Sequence, residues 1–253
     1  MSIQNVKKSA QLFAPKKMRN IGAVILAAGE SSRLGQPKQL VQFRGKSLVR
    51  RVVEAAKQAG CSPIVVVTSG DAEDTENPPH LPPTHSYGAA GHPLPSMKGE
   101  ERASHRSNLA ESVARELKQT PATIVTNQNW RRGIGGSIRA GVQRAIDAAP
   151  SFEAMLLLTC YQPFVDVNVI KQLIALRAKT NKAIIASSYS NTLGVPALFD
   201  RSYFEDLLSL SDASGAKSII LSDCDRVAEF PFPEGKIDID TVEDWEKANA
   251  RIK

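Results

Sequence analysis

Residues 26–38 read Leu-Ala-Ala-Gly-Glu-Ser-Ser-Arg-Leu-Gly-Gln-Pro-Lys, at the end of an apolar run that starts at Gly22. Gly29 and Gly35 free the backbone to wrap a ligand, so that successive N–H groups can point at anionic oxygens. Arg33 and Lys38 add two positive charges, and the combination suits a polyphosphate. A Gly/Ser-rich turn with incidental basic residues has the same composition, so both readings stand at this point. The segment is not a Walker loop, because Gln-Pro rather than Lys-Ser/Thr follows Gly35, and it is not a G-x-G-x-x-G dinucleotide fingerprint.

Other chemistry-bearing residues are weaker signals. Cys160 has no histidine near it in sequence and reads as a small core side chain rather than a nucleophile. Trp130 with Arg131, Arg132 and Arg139 has the residue types for stacking and phosphate contact, but one tryptophan and a short basic pair are little support for nucleic acid. A solvated loop before a helix fits the consecutive arginines as well. Ser137 is as easily a helix N-cap as a ligand contact. His80, His85, His92 and His105 are irregularly spaced without nearby cysteines, which favours a solvated loop over a metal trap.

These residues must be positioned by an alternation of apolar runs and amphipathic stretches. Gly22–Ala28 reads as a buried strand, Ser47–Ala59 as a helix closing at Gly60, and Pro63–Thr68 as a second strand. The spacing predicts a helix over Asn108–Lys118, a short strand at Ile124–Val125, a helix over Ile138–Ala148, a strand over Ala154–Thr159, a helix over Val167–Ala178 and a strand over Ala183–Ser187. Near-continuous hydrophobic strands interleaved with helices predict an α/β fold with a mostly parallel sheet covered on both faces. The site of such a sheet lies at the C-terminal ends of its strands. Residues 71–106 break the rhythm with six of the 15 prolines and all four histidines, which predicts a flexible insertion.

Composition narrows the classes. The chain has 253 residues, 42% hydrophobic and 23% charged, with a net charge of +6. Lys7, Lys8, Lys16, Lys17 and Arg19 supply +5 of that within residues 1–20, which are expected to be a disordered basic tail ahead of a domain over 21–253. The remainder is near neutral and gives no case for a nucleic-acid partner. The run Ile21–Ala28 is far shorter than the roughly 18 residues of a membrane span. Three cysteines, Cys61, Cys160 and Cys224, make neither a disulfide framework nor a zinc site, so a reducing cytoplasm is the expected compartment.

The segment 26–38 also resembles a family signature, L-A-A-G-x-S-x-R-x-G-x-P-K, of small nucleotidyltransferases, in the form of the molybdenum cofactor cytidylyltransferases and their guanylyltransferase relatives. Asn127–Gly141 is similar to the family block N-x-x-W-x-x-G-x-x-x-S-[IL]-x-x-G. Gly194–Phe199 resembles G-x-P-x-L-F, Asp212–Lys217 resembles D-x-G-A-[RK] with one extra residue, and Asp238–Asp244 resembles D-I-D-T-x-x-D. The resemblance implies a Rossmann-like, three-layer α/β/α domain that transfers CMP from CTP to a molybdenum-pterin cofactor and releases pyrophosphate. It assigns Leu26, Ala27, Ala28, Gly29, Ser31, Ser32, Arg33 and Lys38 to the nucleotide, with Arg33 and Lys38 catalytic. Trp130, Gly133, Ser137, Gly194 and Pro196 fall to the acceptor, and Asp238 and Asp240 to a magnesium ion. Ala28, in place of a second glycine, favours CTP over GTP. A molybdoenzyme or its chaperone is the implied recipient.

At one position the chain departs from that pattern. Where relatives have D-Q-P with a metal-binding aspartate, it has Tyr161-Gln162-Pro163. A phenol, with a reference pKa of about 10, is a poor magnesium ligand at neutral pH. The expectation is therefore an enzyme, in one of two forms that the sequence does not separate: its metal rests on Asp238 and Asp240, which alternate along one strand and face the same way, with activity lowered, or Tyr161 is a sporadic substitution in an otherwise active enzyme. Alternatives are guanylyl transfer or a sugar-phosphate acceptor, and a protein that binds nucleotide or pterin and delivers it without chemistry.

Overall fold

A computed structural model describes residues 20–30, 34, 36–70 and 109–251. The basic tail and the Pro/His-rich stretch expected over 71–106 lie outside the described residues, as do Ser31, Ser32 and Arg33.

Strand β1 (Ile21–Ala27) is buried along its whole length, and its neighbours are β4 (Ile64–Ser69) and β6 (Ala154–Thr159), both parallel to it. Between them in sequence lie a small antiparallel hairpin, β2 (Gln42–Phe43) and β3 (Lys46–Ser47), and helix α1 (Leu48–Gln58). Arg44 and Gly45 turn the hairpin with φ of 52° and 75°, the left-handed geometry that a two-residue connection requires. Helix α2 (Leu109–Glu116) precedes β5 (Ala122–Asn127), and α3 (Ile134–Ala148) precedes β6. Helix α4 (Val167–Thr180) leads into the hairpin of β7 (Ile184–Tyr189) and β8 (Thr192–Asp200). Short helices α5 (Phe204–Leu208) and α6 (Ala216–Ser222) precede β9 (Val227–Pro231), and α7 (Val242–Ala250) closes the fold.

The seven-stranded sheet runs β5-β4-β1-β6-β8-β7-β9. Among the described strands of this sheet only β8 opposes its neighbours, pairing antiparallel with β6 and β7. Side chains alternate between its faces, as the two-residue period of a strand dictates. Ala23, Ile25, Leu156 and Leu158 pack with Val49, Val53, Ile170 and Leu173 on one side. Val24, Leu26, Met155 and Leu157 pack with Ile138, Val142, Leu207 and Ile220 on the other. The result is the expected three-layer α/β/α arrangement with a mostly parallel sheet. A third, smaller cluster (Leu34, Val41, Phe43, Leu48, Ile239 and Ala248) sits beside the first helix and fastens the C-terminal segment to the β2–β3 hairpin. The indole of Trp245 reinforces it, donating to the Gln42 carbonyl at 2.9 Å.

Two expectations are corrected. Helix α3 begins at Ile134, a turn before Ile138, so Ser137 is not its N-cap; Gly133 holds that position with φ 137°. A Cβ on Gly133 would lie 2.2 Å from the Asp212 carbonyl oxygen, which is why the chain can pass there only as glycine. Asp238 and Asp240 also do not lie on a strand. Residues 237–240 are irregular, between a 3₁₀ turn at Pro233–Lys236 and the capping box with which Thr241 and Asp244 open α7. Alternation survives locally, because Ile239 is fully buried and its N–H donates to the Tyr161 carbonyl at 3.0 Å. The two flanking carboxylates are thereby left on the solvent side.

Candidate active site

The site forms where β1 and β6 end side by side. The Cys160 N–H donates to the Leu26 carbonyl at 3.1 Å, carrying the ladder one residue beyond β6 and fixing where Tyr161 emerges. The Tyr161 hydroxyl oxygen accepts from the Gly29 N–H at 2.7 Å and from Gln39 Nε2 at 3.2 Å. Gln39 is fully buried, and the same amide nitrogen donates to the Ala27 carbonyl at 2.6 Å and the Gly29 carbonyl at 3.1 Å. The start of the glycine-rich loop is thus tied to β6 through one phenol and one amide.

Lys38 completes the cluster. Only 7% of it is exposed; its ammonium lies 3.7 Å from the centre of the Tyr161 ring and 2.7 Å from Asp240 Oδ1. Burial pushes the Tyr161 hydroxyl well above its ordinary pKa, and the neighbouring Cys160 thiol adds to the rise, against the lowering effect of the Gly29 N–H. The phenol is therefore neutral at physiological pH. The Asp238 carboxyl is also raised, first because surrounding protein displaces water from it and next because Asp240 is a like charge nearby, while Lys38 pulls it down. Burial likewise raises the Cys160 thiol, which rules out a thiolate and agrees with a core cysteine.

The acceptor residues inferred from sequence fall into two places. Gly194 and Pro196 lie on β8, where it passes the end of β6. Gln162, 5% exposed, holds that stretch by donating from Nε2 to the Val195 carbonyl at 3.1 Å and to the Gly235 carbonyl at 2.7 Å. Pro196 is thereby linked to the residue after Tyr161. The second place is the start of α3. Trp130 stands in a 3₁₀ turn with the Arg131 guanidinium 4.7 Å from its ring, and Arg139 pairs with Asp212. Two blocks far apart in sequence, Asn127–Gly141 and Asp212–Lys217, meet there, as the Gly135 N–H donating to the Asp212 carbonyl at 3.0 Å also shows. Ser137 is 4% exposed and accepts from Asn127 Nδ2 at 3.0 Å, which gives it a role in joining α3 to the end of β5.

Gln39 and Gln162 are the residues sequence reasoning passed over. Each directly follows or sits within a motif, but nothing in composition separates a buried amide that satisfies three carbonyl or hydroxyl groups from a solvated one.

Among the described residues the donors do not make a complete divalent-metal site, because no three of His, Cys, Asp and Glu converge. Asp240 is paired with Lys38, and the Tyr161 oxygen is a neutral phenol already accepting two hydrogen bonds. Magnesium needs near-octahedral oxygen ligation and takes most of it from waters and substrate phosphates, so two carboxylates are a place for it with substrate rather than a resident cage.

A glycine-rich loop after the first strand, a lysine facing it and acidic residues beyond the central strands place the domain in the class of α/β nucleotidyltransferases. Residues 23–227 match the MobA-like NTP transferase domain, and the chain belongs to that family. Among characterised relatives, it is 40% identical over 65 residues to a bifunctional IspD/IspF enzyme of Erythrobacter litoralis, covering 25% of this chain and 17% of the relative. It is 26% identical over 156 residues to nicotine blue oxidoreductase of Paenarthrobacter nicotinovorans, covering 61% and 55%. A probable molybdenum cofactor guanylyltransferase of Opitutus terrae is 38% identical over 47 residues, 19% and 23% of the two chains. The chain therefore spans at most about half the length of these relatives.

Solved structures agree on the fold. Rv0371c of Mycobacterium tuberculosis superposes with a TM-score of 0.63 at 22% identity, covering 92% of this chain and 99% of that one. Its manganese complex gives 0.60 at 20% identity, covering 92% and 100%. A nucleotidyl transferase of Methanothermobacter thermautotroptrophicus gives 0.62 at 18%, covering 92% and 97%. Identities this low establish shared architecture and leave substrate open.

Proposed function

We propose that the protein transfers CMP from CTP to the phosphate of a molybdenum-pterin cofactor, releasing pyrophosphate. The observation that carries this reading is the Lys38 ammonium, held beside the Gly29 loop and next to Asp238 and Asp240 at the ends of β1 and β6. Transfer brings an anionic acceptor oxygen against an anionic α-phosphate, so charge neutralisation and in-line placement do most of the work. Lys38, with Arg33 of the same segment, would neutralise the triphosphate; residues Leu26 to Gly29, Ser31 and Ser32 would follow its outline. Magnesium enters this scheme as part of the substrate, carried on the triphosphate oxygens.

Gly194 and Pro196 would form the acceptor's wall beyond β6, and Trp130 with Gly133 its far side. In this reading Ser137 acts through Asn127 instead of touching the acceptor. The family resemblance favours a pterin over other acceptors, and a short match to a molybdenum cofactor guanylyltransferase supports it. That match names guanylyl transfer, which stays as an alternative, as does a sugar-phosphate acceptor beside the longer match to a bifunctional IspD/IspF enzyme. A delivery protein that binds without chemistry is the reading that Tyr161 favours. Delivery to a molybdoenzyme or its chaperone, and a cytoplasmic setting, belong to the same proposal.

Purified protein supplied with magnesium, CTP or GTP and the molybdenum-loaded pterin should release pyrophosphate, with CTP preferred. Turnover of neither nucleotide while the pterin still binds would leave only the delivery reading.

A further inference from the structure

The cation of this site is already built into the chain. The Lys38 side chain is buried and, among the described residues, its ammonium meets the face of the Tyr161 ring at 3.7 Å and the Asp240 carboxylate at 2.7 Å. A cation over an aromatic face and a charge-assisted hydrogen bond each favour the ammonium, most strongly when water is partly excluded. The seat itself is held by hydrogen bonds. The Tyr161 hydroxyl accepts from Gly29 N–H and Gln39 Nε2, and Gln39 is anchored in turn to the carbonyls of Ala27 and Gly29. The adjacent Ile239 amide bonds to the Tyr161 carbonyl and sets Asp238 and Asp240 on either side.

Among the described residues, the Lys38 charge is thus held beside the Asp238 and Asp240 carboxylates. A divalent ion entering between Asp238 and Asp240 would have to repel or displace it. The Tyr161 phenol, whose ring faces Lys38, would have to lose a proton to become an anionic ligand.

We propose that Lys38, seated on Tyr161 and paired with Asp240, is the resident cation of the site, and that the ligand-free protein holds no divalent ion at Asp238 and Asp240. The proposal concerns the same cleft as the transfer reading but does not require it, because it is tested with metal alone. A protein that binds no nucleotide could still obey it, and an active transferase could violate it.

The test is titration of Mn²⁺ into the full chain without nucleotide, following free Mn²⁺ by electron paramagnetic resonance. The wild type should show no site tighter than about 1 mM that depends on Asp238. Lys38→Met, which keeps the apolar stem and removes the charge, should bind Mn²⁺ about tenfold or more tighter than the wild type, a gain abolished by adding Asp238→Asn. Lys38→Arg should behave as the wild type. If Lys38→Met does not fold, as judged by circular dichroism, Lys38→Gln takes its place. A wild-type site tighter than about 1 mM that disappears in Asp238→Asn overturns the proposal. So does a folded lysine-removal variant that binds no more tightly than the wild type.

Discussion

The Asp238 carboxyl lies on the solvent side of Ile239 but is raised by partial desolvation and by the like charge of Asp240. Below the unfolded carboxyl pKa of about 3.9 both states are protonated and nothing is lost; as pH rises through the folded value, the folded protein must hold a charge it resists, and stability falls. Asp238→Asn should therefore raise the melting temperature at pH 7, and the gain should vanish near pH 3. Thermal unfolding at the two pH values measures both halves, and a variant less stable than wild type at pH 7 would contradict the assignment. Lys38 and Gly29 were legible at this scale because motif spacing announced them. Tyr161 was legible only as a departure. That its hydroxyl takes the Gly29 N–H follows from the parallel register of β1 and β6, which brings residues 132 positions apart into contact.

Among the elements, α3 is the one whose placement the sequence understated. Its first turn contains Gly135 and Gly136, poor helix formers, so intrinsic preference puts the start later than it is. Contact with the 211–214 segment overrides that preference: the Gly135 N–H bonds to the Asp212 carbonyl, and Arg139 bonds to Asp212 and the Leu210 carbonyl. Further along, Gly141 lets the helix lie close on the sheet. A Cβ there would meet Val24 Cγ1 at 2.4 Å and Val67 Cγ2 at 2.8 Å, on β1 and β4. Gly141→Ala gains helix propensity of roughly 0.5–1 kcal/mol and loses roughly 1–3 kcal/mol to overpacking. We expect net destabilisation, read as a lower urea midpoint with an unchanged slope. A midpoint equal to or above wild type would mean that α3 can shift outward freely.

For the whole molecule, burying neutral acids makes stability depend on alkaline pH. Burial raises the Cys61 thiol to about 12, raises Cys160 further, and lifts the Tyr161 hydroxyl. Tyr203 also reaches about 12, through burial and its hydrogen bond to Asp223. These groups keep their protons in the folded state while the unfolded chain loses them from about pH 8.5 for cysteine and about pH 10 for tyrosine. Stability is intact below those values and falls as pH rises toward the folded ones. The melting temperature should drop steeply between about pH 8.5 and 11, and Tyr161→Phe should flatten the part above pH 10. A flat profile to pH 11 would show that these side chains reach water in the folded protein.

What the sequence determined alone was the layer plan and the location of the loop. Strands β1, β4 and β6 are covered on both faces, so they are apolar at nearly every position and could be read without knowing their partners. β8 was recognised as a motif and not as a strand, since Gly194 and Pro196 interrupt its pattern and its place depends on pairing antiparallel with β6 and β7. Asp238 and Asp240 were matched as a pair by their spacing, but their aim is set by the burial of Ile239 against the β2–β3 hairpin and α7. Only the tertiary structure decided the electrostatics of the cleft. Whether Tyr161 is a missing ligand or a seat for Lys38 depends on distances between segments that chain order does not bring together.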